Sequence, residues 1–302
     1  DSWRRHHRAL ADFILKYESI NIFEIGGGHG TLAREYIGKR EKSTWTILEA
    51  NPTPNYYHDR ISFQKGIFDD SCVINNDIDT IVHSHLFEHI YSPVSFIKKL
   101  YDSLPNGGYT IFSVPFLEQQ IKENITYCLG FEHTIFLNET FIEFFLHQAG
   151  FKIIDKQIYQ ENHSLFYCAQ KKGDSCIDVS FPNKYDEYLE LFKNYFQFNE
   201  NKVADLNRLI KSSSEKVFLF GGHVASQYLI SYGLNIECLE SILDNDPKKQ
   251  GRRLYGTNLK VRSPQVLRNM GKVNVILRQG VFNKEIKEDI LEQINNNVVF
   301  WE

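Results

Sequence analysis

Apolar and polar positions alternate along the first 170 residues with the spacing of strands and helices. Short apolar runs predict seven strands, at residues 21–26, 44–50, 61–67, 79–85, 108–114, 151–158 and 163–170. Helical patterns lie between them, at residues 30–38, 92–104 and 138–149, and an amphipathic helix over 3–17 precedes the first strand. This order predicts an α/β fold, a parallel sheet with helices on both faces that ends in an antiparallel hairpin.

A second α/β series follows a polar run at residues 171–175. It begins with a long helical pattern over 183–211, and strands are predicted at 216–222, 239–244, 273–278 and 298–301. We therefore predict two domains. Residues 1–172 are expected to form a Rossmann-like domain with a seven-stranded sheet, and residues 173–302 a second, smaller Rossmann-like α/β domain.

A glycine-rich turn follows the first predicted strand, with glycines at Gly26, Gly28 and Gly30 among others. Glu49 ends the next apolar run, at a spacing typical of nucleotide-binding α/β units. Glycines allow the backbone to approach a ligand closely, and an acid at the tip of the second strand can accept both ribose hydroxyls. The pattern predicts a site for an adenosyl cofactor.

The details of this turn favour S-adenosyl-L-methionine (SAM) over a dinucleotide. Counted from Gly26, the dinucleotide fingerprint requires glycine or alanine at the position of Thr31. Counted from Gly28, it matches formally but starts three residues beyond Ile25, which is late for a tight strand-to-helix turn. Glu24 could receive the ammonium group of the methionine, which a dinucleotide lacks. An NAD-dependent enzyme remains the alternative, and a non-catalytic scaffold is a third class.

The third predicted strand is followed by Phe68, which could cover the adenine ring of the cofactor. Asp69 and Asp70 before Ser71 also form an ordinary helix-entry signal, so this segment has a structural interpretation as well.

A second glycine pair, Gly221-Gly222, ends the first strand of the second series, and Asp244 ends the next one. The pair could hold a phosphate at the start of a helix. It lacks the third small residue at the usual spacing, so we interpret it as a tight turn that binds no cofactor.

Composition excludes several classes of partner and compartment. The net charge of −4 gives no basic surface for a nucleic acid polymer. The five cysteines contain no C-x-x-C pair, and free thiols of a reducing compartment are expected. We find no apolar run of membrane-spanning length and no signal peptide pattern, so we expect a cytoplasmic protein with no membrane partner. Because the chain starts with Asp1 and not Met, we expect it to be part of a longer protein.

Two further segments resemble class I SAM-dependent methyltransferases. Residues 79–90, Asp-Thr-Ile-Val-His-Ser-His-Leu-Phe-Glu-His-Ile, are similar to the fourth-strand segment of that family. Residues 104–115, Leu-Pro-Asn-Gly-Gly-Tyr-Thr-Ile-Phe-Ser-Val-Pro, resemble its Leu-x-x-Gly-Gly turn before strand five. Together with the glycine turn, the resemblance covers most of residues 20–170. It implies SAM as cofactor and transfer of a methyl group.

Other segments resemble nucleotide-sugar C-methyltransferases in particular. Phe131-Glu132-His133 is similar to a Glu-His segment of those enzymes, and residues 243–257 with Ser263-Pro264 are similar to their C-terminal domain. The resemblance implies a small, nucleotide-linked acceptor held with help from the second domain. The family's paired cysteines of an N-terminal zinc-binding module are not in this sequence, and Gly130 stands where the family usually has tyrosine. O- or N-methylation of another nucleotide-linked compound, for example in surface polysaccharide modification, therefore remains an alternative.

The resemblance implies that His133 is the catalytic base and that Glu132 orients it or contacts the acceptor. An imidazole is suited to remove a proton near neutral pH. The pair lies in the long connection after strand five, a place where acceptors bind in open α/β sheets, although a loop His-Glu pair can also be merely solvated or cap a helix. Glu88 and His89 match the family pattern, but capping and packing explain residues at a helix start equally well.

Three further residues with possible roles in the site lie near the predicted sheet. His85 ends strand four, where it could touch the acceptor or the methyl group. His83 shares a face with it, which formally allows a metal, but no carboxylate has an obvious register with them, and we predict no metal site. In the first helix, His6 could close over cofactor or substrate, or the helix could simply cover the sheet.

Overall fold

The computed structural model describes residues 2–74, 77–173, 181 and 183–302, apart from the side chains of Ser2 and Val281. The residues divide into two units, which are described separately. Unit 1 comprises Asp1–Gln120 and Phe131–Asn183, and unit 2 comprises Ile121–Gly130 and Lys184–Glu302. The predicted boundary between residues 172 and 173 adjoins residues 174–180, which lie outside the described residues, and it stays a prediction.

Unit 1 contains a seven-stranded sheet, as predicted. Its strands are β1 (Asn21–Ile25), β2 (Thr44–Glu49), β3 (Ile61–Lys65), β4 (Thr80–Ser84), β5 (Tyr109–Pro115), β6 (Phe151–Tyr159) and β7 (Ser164–Lys171). The order across the sheet is β3-β2-β1-β4-β5-β7-β6. The first five strands pair in parallel, and β7 runs antiparallel to both β5 and β6. The predicted terminal hairpin is therefore confirmed.

Helices cover both faces of this sheet. They are α1 (Ser2–Leu15), α2 (Thr31–Ile37), α3 (Pro93–Ser103) and α5 (Glu139–Gln148), and the short helix α4 (Leu117–Lys122) follows β5 and includes residues assigned to both units. Successive side chains of a strand point to opposite faces, so Ile22 packs in the core that includes residues of α1 and α2, whereas Phe23 packs in the core that includes residues of α3 and α5. The short helix α4 was not predicted.

Unit 2 contains a smaller parallel sheet. Its strands are β8 (Val217–Phe220), β9 (Leu239–Leu243), β10 (Val261–Arg262), β11 (Val273–Ile276) and β12 (Val298–Trp301), and its helices are α6 (Tyr185–Ser212), α7 (Val224–Ser231) and α8 (Asn283–Gln293). The order is β10-β9-β8-β11-β12. The predicted second Rossmann-like fold is confirmed. Strand β10 and helix α8 were not predicted, and β10, with two residues, is too short to show the period of a strand.

Residues 121–130 belong to unit 2 although both flanking segments belong to unit 1. The Tyr195 hydroxyl of α6 lies 3.1 Å from the carbonyl oxygens of both Ile125 and Thr126, which share its one proton. The Arg278 guanidinium donates to the Thr126 hydroxyl, with distances of 3.2 and 2.9 Å from its two nitrogens. Side chains from distant parts of the chain thus hold this segment in unit 2.

The structure bears on two expectations from composition. The four described cysteines, Cys72, Cys128, Cys168 and Cys238, are free thiols, and Cys176 lies outside the described residues. Among the helices of the described residues, none has the length and apolar content needed to cross a bilayer.

Candidate active site

The glycine turn joins β1 to α2 at the carboxyl edge of the unit 1 sheet. Gly26, Gly28 and Gly30 have φ angles of 74°, 53° and 78°, in the left-handed region that residues other than glycine rarely adopt. The Gly26 amide donates to the Leu48 carbonyl at 2.8 Å, which ties the turn to β2. The three positive φ angles explain why the sequence places glycine at these positions.

Space around the turn differs from one glycine to the next. A Cβ at Gly27 would lie 2.7 Å from the carboxylate of Glu24, and a Cβ at Gly30 would lie 3.0 Å from the ring of Phe63. A Cβ at Gly28 would meet no atom of the described residues within 4 Å. The turn is therefore packed on its inner side and open at Gly28, as a backbone cradle for a ligand requires.

Glu24 lies beneath this turn and is only 2 % exposed. Its Oε2 accepts a hydrogen bond of 2.8 Å from the indole Nε1 of Trp45. Burial raises the pKa of Glu24 to about 7, the hydrogen bond from Trp45 opposes this rise, and the charge of Glu49 adds to it. A cation beside Glu24 would favour its charged form, so the residue is suited to an ammonium group.

Glu49 ends β2, and its carboxylate faces the same turn. Oε2 accepts from the Gly28 amide at 3.0 Å, and Oε1 accepts from the Asn51 amide at 3.1 Å. Each carboxylate oxygen has a second lone pair, so each can still accept a hydrogen bond from a hydroxyl group. Glu49 is thereby positioned for two adjacent ribose hydroxyls.

Phe68 follows β3, and its half-buried ring lies 5.7 Å from the ring of Phe96 between centroids. The ammonium group of Lys99 lies 5.2 Å from the centroid of Phe68. The ring is fixed by these contacts at the end of the strand next to β2, on the side where Glu49 lies.

His85 follows the end of β4, the strand that pairs with β1. Its φ of 48° is unusual for a residue other than glycine, and such backbone strain is commonest at functional sites. The imidazole Nδ1 lies 3.2 Å from Glu88 Oε1, and Nε2 lies 2.9 Å from the hydroxyl of Ser164. The side chain of the next residue, Leu86, would lie 3.3 Å from a Cβ at Gly26, so the segment that follows β4 packs against the glycine turn.

His83, by contrast, is part of the core. It is fully buried, and its ring stacks on Phe112 at a centroid distance of 4.7 Å. Burial lowers the pKa of His83 to about 3, so the ring is neutral at physiological pH.

The predicted base His133 lies beside Glu88 and His89, which form a 3₁₀ turn with Phe87. One ligand atom from each of His133, Glu88 and His89 lies within 4.8 Å of the other two. The Thr134 amide donates to the Glu88 carbonyl at 2.9 Å, and the Nδ1–H of His89 donates to the Glu132 carbonyl at 3.0 Å. These two bonds anchor the loop that carries His133 to the end of β4.

Glu132 takes part in this contact through its backbone, and its side chain is exposed. Glu88, which is 3 % exposed, places the buried carboxylate next to His133. Its role was not recognised from the sequence because it stands at a helix start, where capping is the ordinary explanation. Its position next to His89 in the resembling segment was the only signal for it.

Electrostatics near His133 suit a proton acceptor. Burial lowers the pKa of His133, and the nearby Glu88 carboxylate opposes that shift. Burial also acts to raise the pKa of Glu88, but the hydrogen bond and charge of His85 outweigh it and lower the pKa below its usual value. At neutral pH the arrangement is a neutral imidazole beside an ionised carboxylate.

The second glycine turn, in unit 2, is already filled by a side chain. Gln279 Nε2 donates to the Phe220 carbonyl at 2.7 Å and would lie 2.5 Å from a Cβ at Gly221. Asp244 accepts from the Gly222 amide at 2.7 Å and from the Lys249 ammonium group at 3.0 Å. A cavity of about 560 Å³ opens beside the turn, and its lining includes the carboxylates of Asp244, Glu285 and Asp289. Carboxylates repel phosphate, so this geometry supports our interpretation of a tight turn.

In unit 1 the glycine turn is open at Gly28 and the acid Glu49 faces it, which is the geometry of a site for an adenosyl cofactor. Comparison with known families specifies the class. The methyltransferase domain family matches residues 2–156, 155 of the 302 residues, and the C-methyltransferase C-terminal domain family matches residues 182–300. The chain belongs to the methyltransferase domain family. It is an enzyme, and its cofactor is SAM.

Solved structures with a similar fold include other methyltransferases. Human N-acetylserotonin methyltransferase in complex with SAM is 17 % identical with a TM-score of 0.45, over 55 % of this chain and 51 % of that one. An O-methyltransferase family protein from Burkholderia thailandensis is 12 % identical with a TM-score of 0.43, over 57 % and 56 %. A complex of the Haloferax volcanii Trm112 methyltransferase activator with a methyltransferase is 13 % identical with a TM-score of 0.44, over 51 % of this chain and 84 % of that one. The chain thus spans about half of the first two proteins.

Similarity of this degree does not identify an acceptor. The comparison with curated proteins found no match.

Proposed function

We propose that the protein transfers the methyl group of SAM to a small nucleotide-linked acceptor, a nucleotide-linked sugar, and that His133 removes the acceptor proton. The observation that carries the proposal is the grouping of His133 with the buried Glu88 at the carboxyl end of β4. Since β4 pairs in parallel with β1, this group and the glycine turn lie on the same edge of the sheet.

The residues around the first turn fit the cofactor. Glu24 would hold the ammonium group, Glu49 the two ribose hydroxyls and Phe68 the adenine ring, and the backbone at Gly26, Gly28 and Gly30 would allow close approach. When bound, SAM supplies a methyl group on a positively charged sulfur, which departs as a neutral thioether. The protein therefore contributes mainly alignment and exclusion of water.

Proton removal falls to His133. A neutral imidazole can accept a proton, and the Glu88 carboxylate would stabilise the imidazolium that forms. The hydrogen bond between Glu88 and His85 fixes that carboxylate at the end of β4. His85 can contact the acceptor from this position, and the exposed Glu132 can contact it from the rim of the loop.

The class of acceptor rests on the second family match, to the C-methyltransferase C-terminal domain over residues 182–300, and on the resemblance described above. The same match favours carbon over oxygen or nitrogen as the methylated atom. Exchange of an acceptor C–H proton for deuterium, followed by NMR without methyl donor, would support carbon methylation. Methyl transfer with no such exchange would favour the O- or N-methyltransferase alternative.

The test compares His133→Asn with His147→Asn, a half-buried histidine on α5 that is not part of the group of His133, Glu88 and His89. Release of S-adenosylhomocysteine (SAH) would be followed with a panel of nucleotide-linked sugars. We expect kcat of His133→Asn to fall by about 10²–10⁴, the usual contribution of a general base, while SAH affinity stays within about twofold. The His147→Asn variant should retain its activity. Wild-type turnover by His133→Asn would rule out its role as base.

A further inference from the structure

Three histidines that are far apart in the sequence meet in unit 1. His6 lies on α1, His85 follows β4 and His163 immediately precedes β7. One ring nitrogen from each residue lies within 4.8 Å of the other two. Two nitrogens on one tetrahedral zinc ion are about 3.3 Å apart, given zinc–nitrogen distances of about 2.05 Å, so nitrogens within 4.8 Å of one another can converge on one ion after small side-chain shifts.

His6 is the least expected member of this group. It is completely buried, and neither of its ring nitrogens has a hydrogen-bond partner among the described residues. A buried polar atom without a partner costs about 1–3 kcal/mol, so such an atom in a folded protein calls for an explanation. A bound metal ion would provide a partner for one of these two nitrogens.

His85 is held as metal-binding histidines usually are. Its Nδ1 lies 3.2 Å from the Glu88 carboxylate, an arrangement that fixes the tautomer and leaves the lone pair on Nε2. That Nε2 and the Nδ1 of His163 lie 2.9 and 2.6 Å from the same Ser164 hydroxyl. The hydroxyl can donate its one proton to one of these nitrogens and accept an N–H from the other, so a metal ion bound by both nitrogens would replace these two hydrogen bonds.

Aromatic side chains surround the three imidazoles. The rings of Trp3, Tyr159 and Phe166 lie 5.5, 5.3 and 5.3 Å from the ring of His6 between centroids.

We propose that His6, His85 and His163 form a trihistidine site for a divalent transition metal ion of the zinc type. Three protein nitrogens leave a fourth position for water or another ligand, as in sites where the metal is accessible. The inference goes beyond the proposed function, since it depends on neither methyl donor nor acceptor. It also differs from the sequence-based prediction of no metal, which looked for a carboxylate ligand. Here the nearest carboxylate, Glu88, supports a ligand instead.

Cobalt(II) is a suitable probe because its visible absorption reports coordination by nitrogen. The tag-free, chelator-treated full chain would be titrated with Co²⁺ without SAM, and bound zinc would be measured in parallel by mass spectrometry. We expect one equivalent to bind with a visible d–d band. His6→Gln and His163→Gln should abolish that band, and Glu88→Gln should weaken binding by about 10–100-fold, as removal of such supporting partners does.

Two controls make the outcome decisive. His147→Gln, outside the cluster, should bind Co²⁺ like the wild type, and circular dichroism would establish that His163→Gln is folded. His89→Gln tests the neighbouring group of Glu88, His89 and His133, and it should leave the d–d band intact. Absence of Co²⁺ and Zn²⁺ uptake by the wild type, or loss of binding in His89→Gln but not in folded His163→Gln, would overturn the proposal. Neither result would bear on methyl transfer.

Discussion

The two glycine turns of this protein follow the same local pattern but have different surroundings. The first turn follows β1 in unit 1, and the second follows β8 in unit 2. In each turn a backbone amide donates a hydrogen bond to an acid at the end of the neighbouring strand, Glu49 in unit 1 and Asp244 in unit 2. In unit 1 the space beside Gly28 is open. In unit 2 the side chain of Gln279 lies against Gly221, and Lys249 pairs with the acid. The strand-glycine-acid pattern thus specifies a turn, and the neighbouring side chains decide whether it can bind a ligand.

The largest difference between the turns should appear when each acid is removed. Glu49→Ala eliminates the acceptor for two ribose hydroxyls, so we expect a loss of about 3 kcal/mol or more, on the order of a hundredfold in Kd for SAH. Asp244→Ala should leave this Kd unchanged. Isothermal titration of both folded variants measures the contrast. Equal affinity of Glu49→Ala and wild type would refute ribose recognition by Glu49.

The structural role of the second turn can be tested by removing the Gln279 side chain that lies against it. Gln279→Ala removes the 2.7 Å hydrogen bond to the Phe220 carbonyl and leaves only the 3.5 Å contact from the Ser226 hydroxyl, so we expect the free energy of unfolding of unit 2 to fall by about 1–3 kcal/mol. Gln227→Ala, which removes an exposed contact with the Tyr255 carbonyl, should change it by less than about 0.5 kcal/mol. Urea unfolding provides both values. If Gln279→Ala gained affinity for ATP or NADH, the turn would be an obstructed nucleotide site and not a purely structural one.

A smaller effect is expected at the first turn, where the affinity for SAH should depend on pH through Glu24. Glu24 has a pKa of about 7 in the free protein, and an adjacent ammonium group would lower it. Binding then releases a proton below pH 7, so the affinity for SAH should fall as pH decreases, by at most about tenfold per unit. Glu24→Gln should bind more weakly at about pH 8 and lose this dependence. A pH-independent Kd for the wild type would exclude Glu24 as the ammonium partner.

Much of the fold could be predicted because its signals are local. All seven strands of unit 1 and the antiparallel hairpin follow from apolar runs and their spacing, whereas β10, with two residues, and the short helix α4 have too few residues to show a period. The glycine turn could also be recognised, since its residues are close in sequence.

The rest of the site depends on contacts between residues far apart in the chain. His6, His85 and His163 are brought together by a helix that covers the sheet and by the hairpin at its edge, and no spacing rule connects them. Glu88 has an ordinary local explanation as a helix-start residue, and only the structure reveals that it is buried beside His133. Sequence context and three-dimensional surroundings therefore differ most for the residues at the end of β4, where the active site is proposed.

The assignment of residues 121–130 to unit 2 has a consequence for how the protein is made. During synthesis this segment leaves the ribosome before Tyr195 and Arg278, the side chains that later hold it, have been translated. A truncated gene product that stops after the first sheet would retain the segment without those anchors. Separate production of the two halves therefore requires moving ten residues from one to the other, and a single cut cannot achieve this.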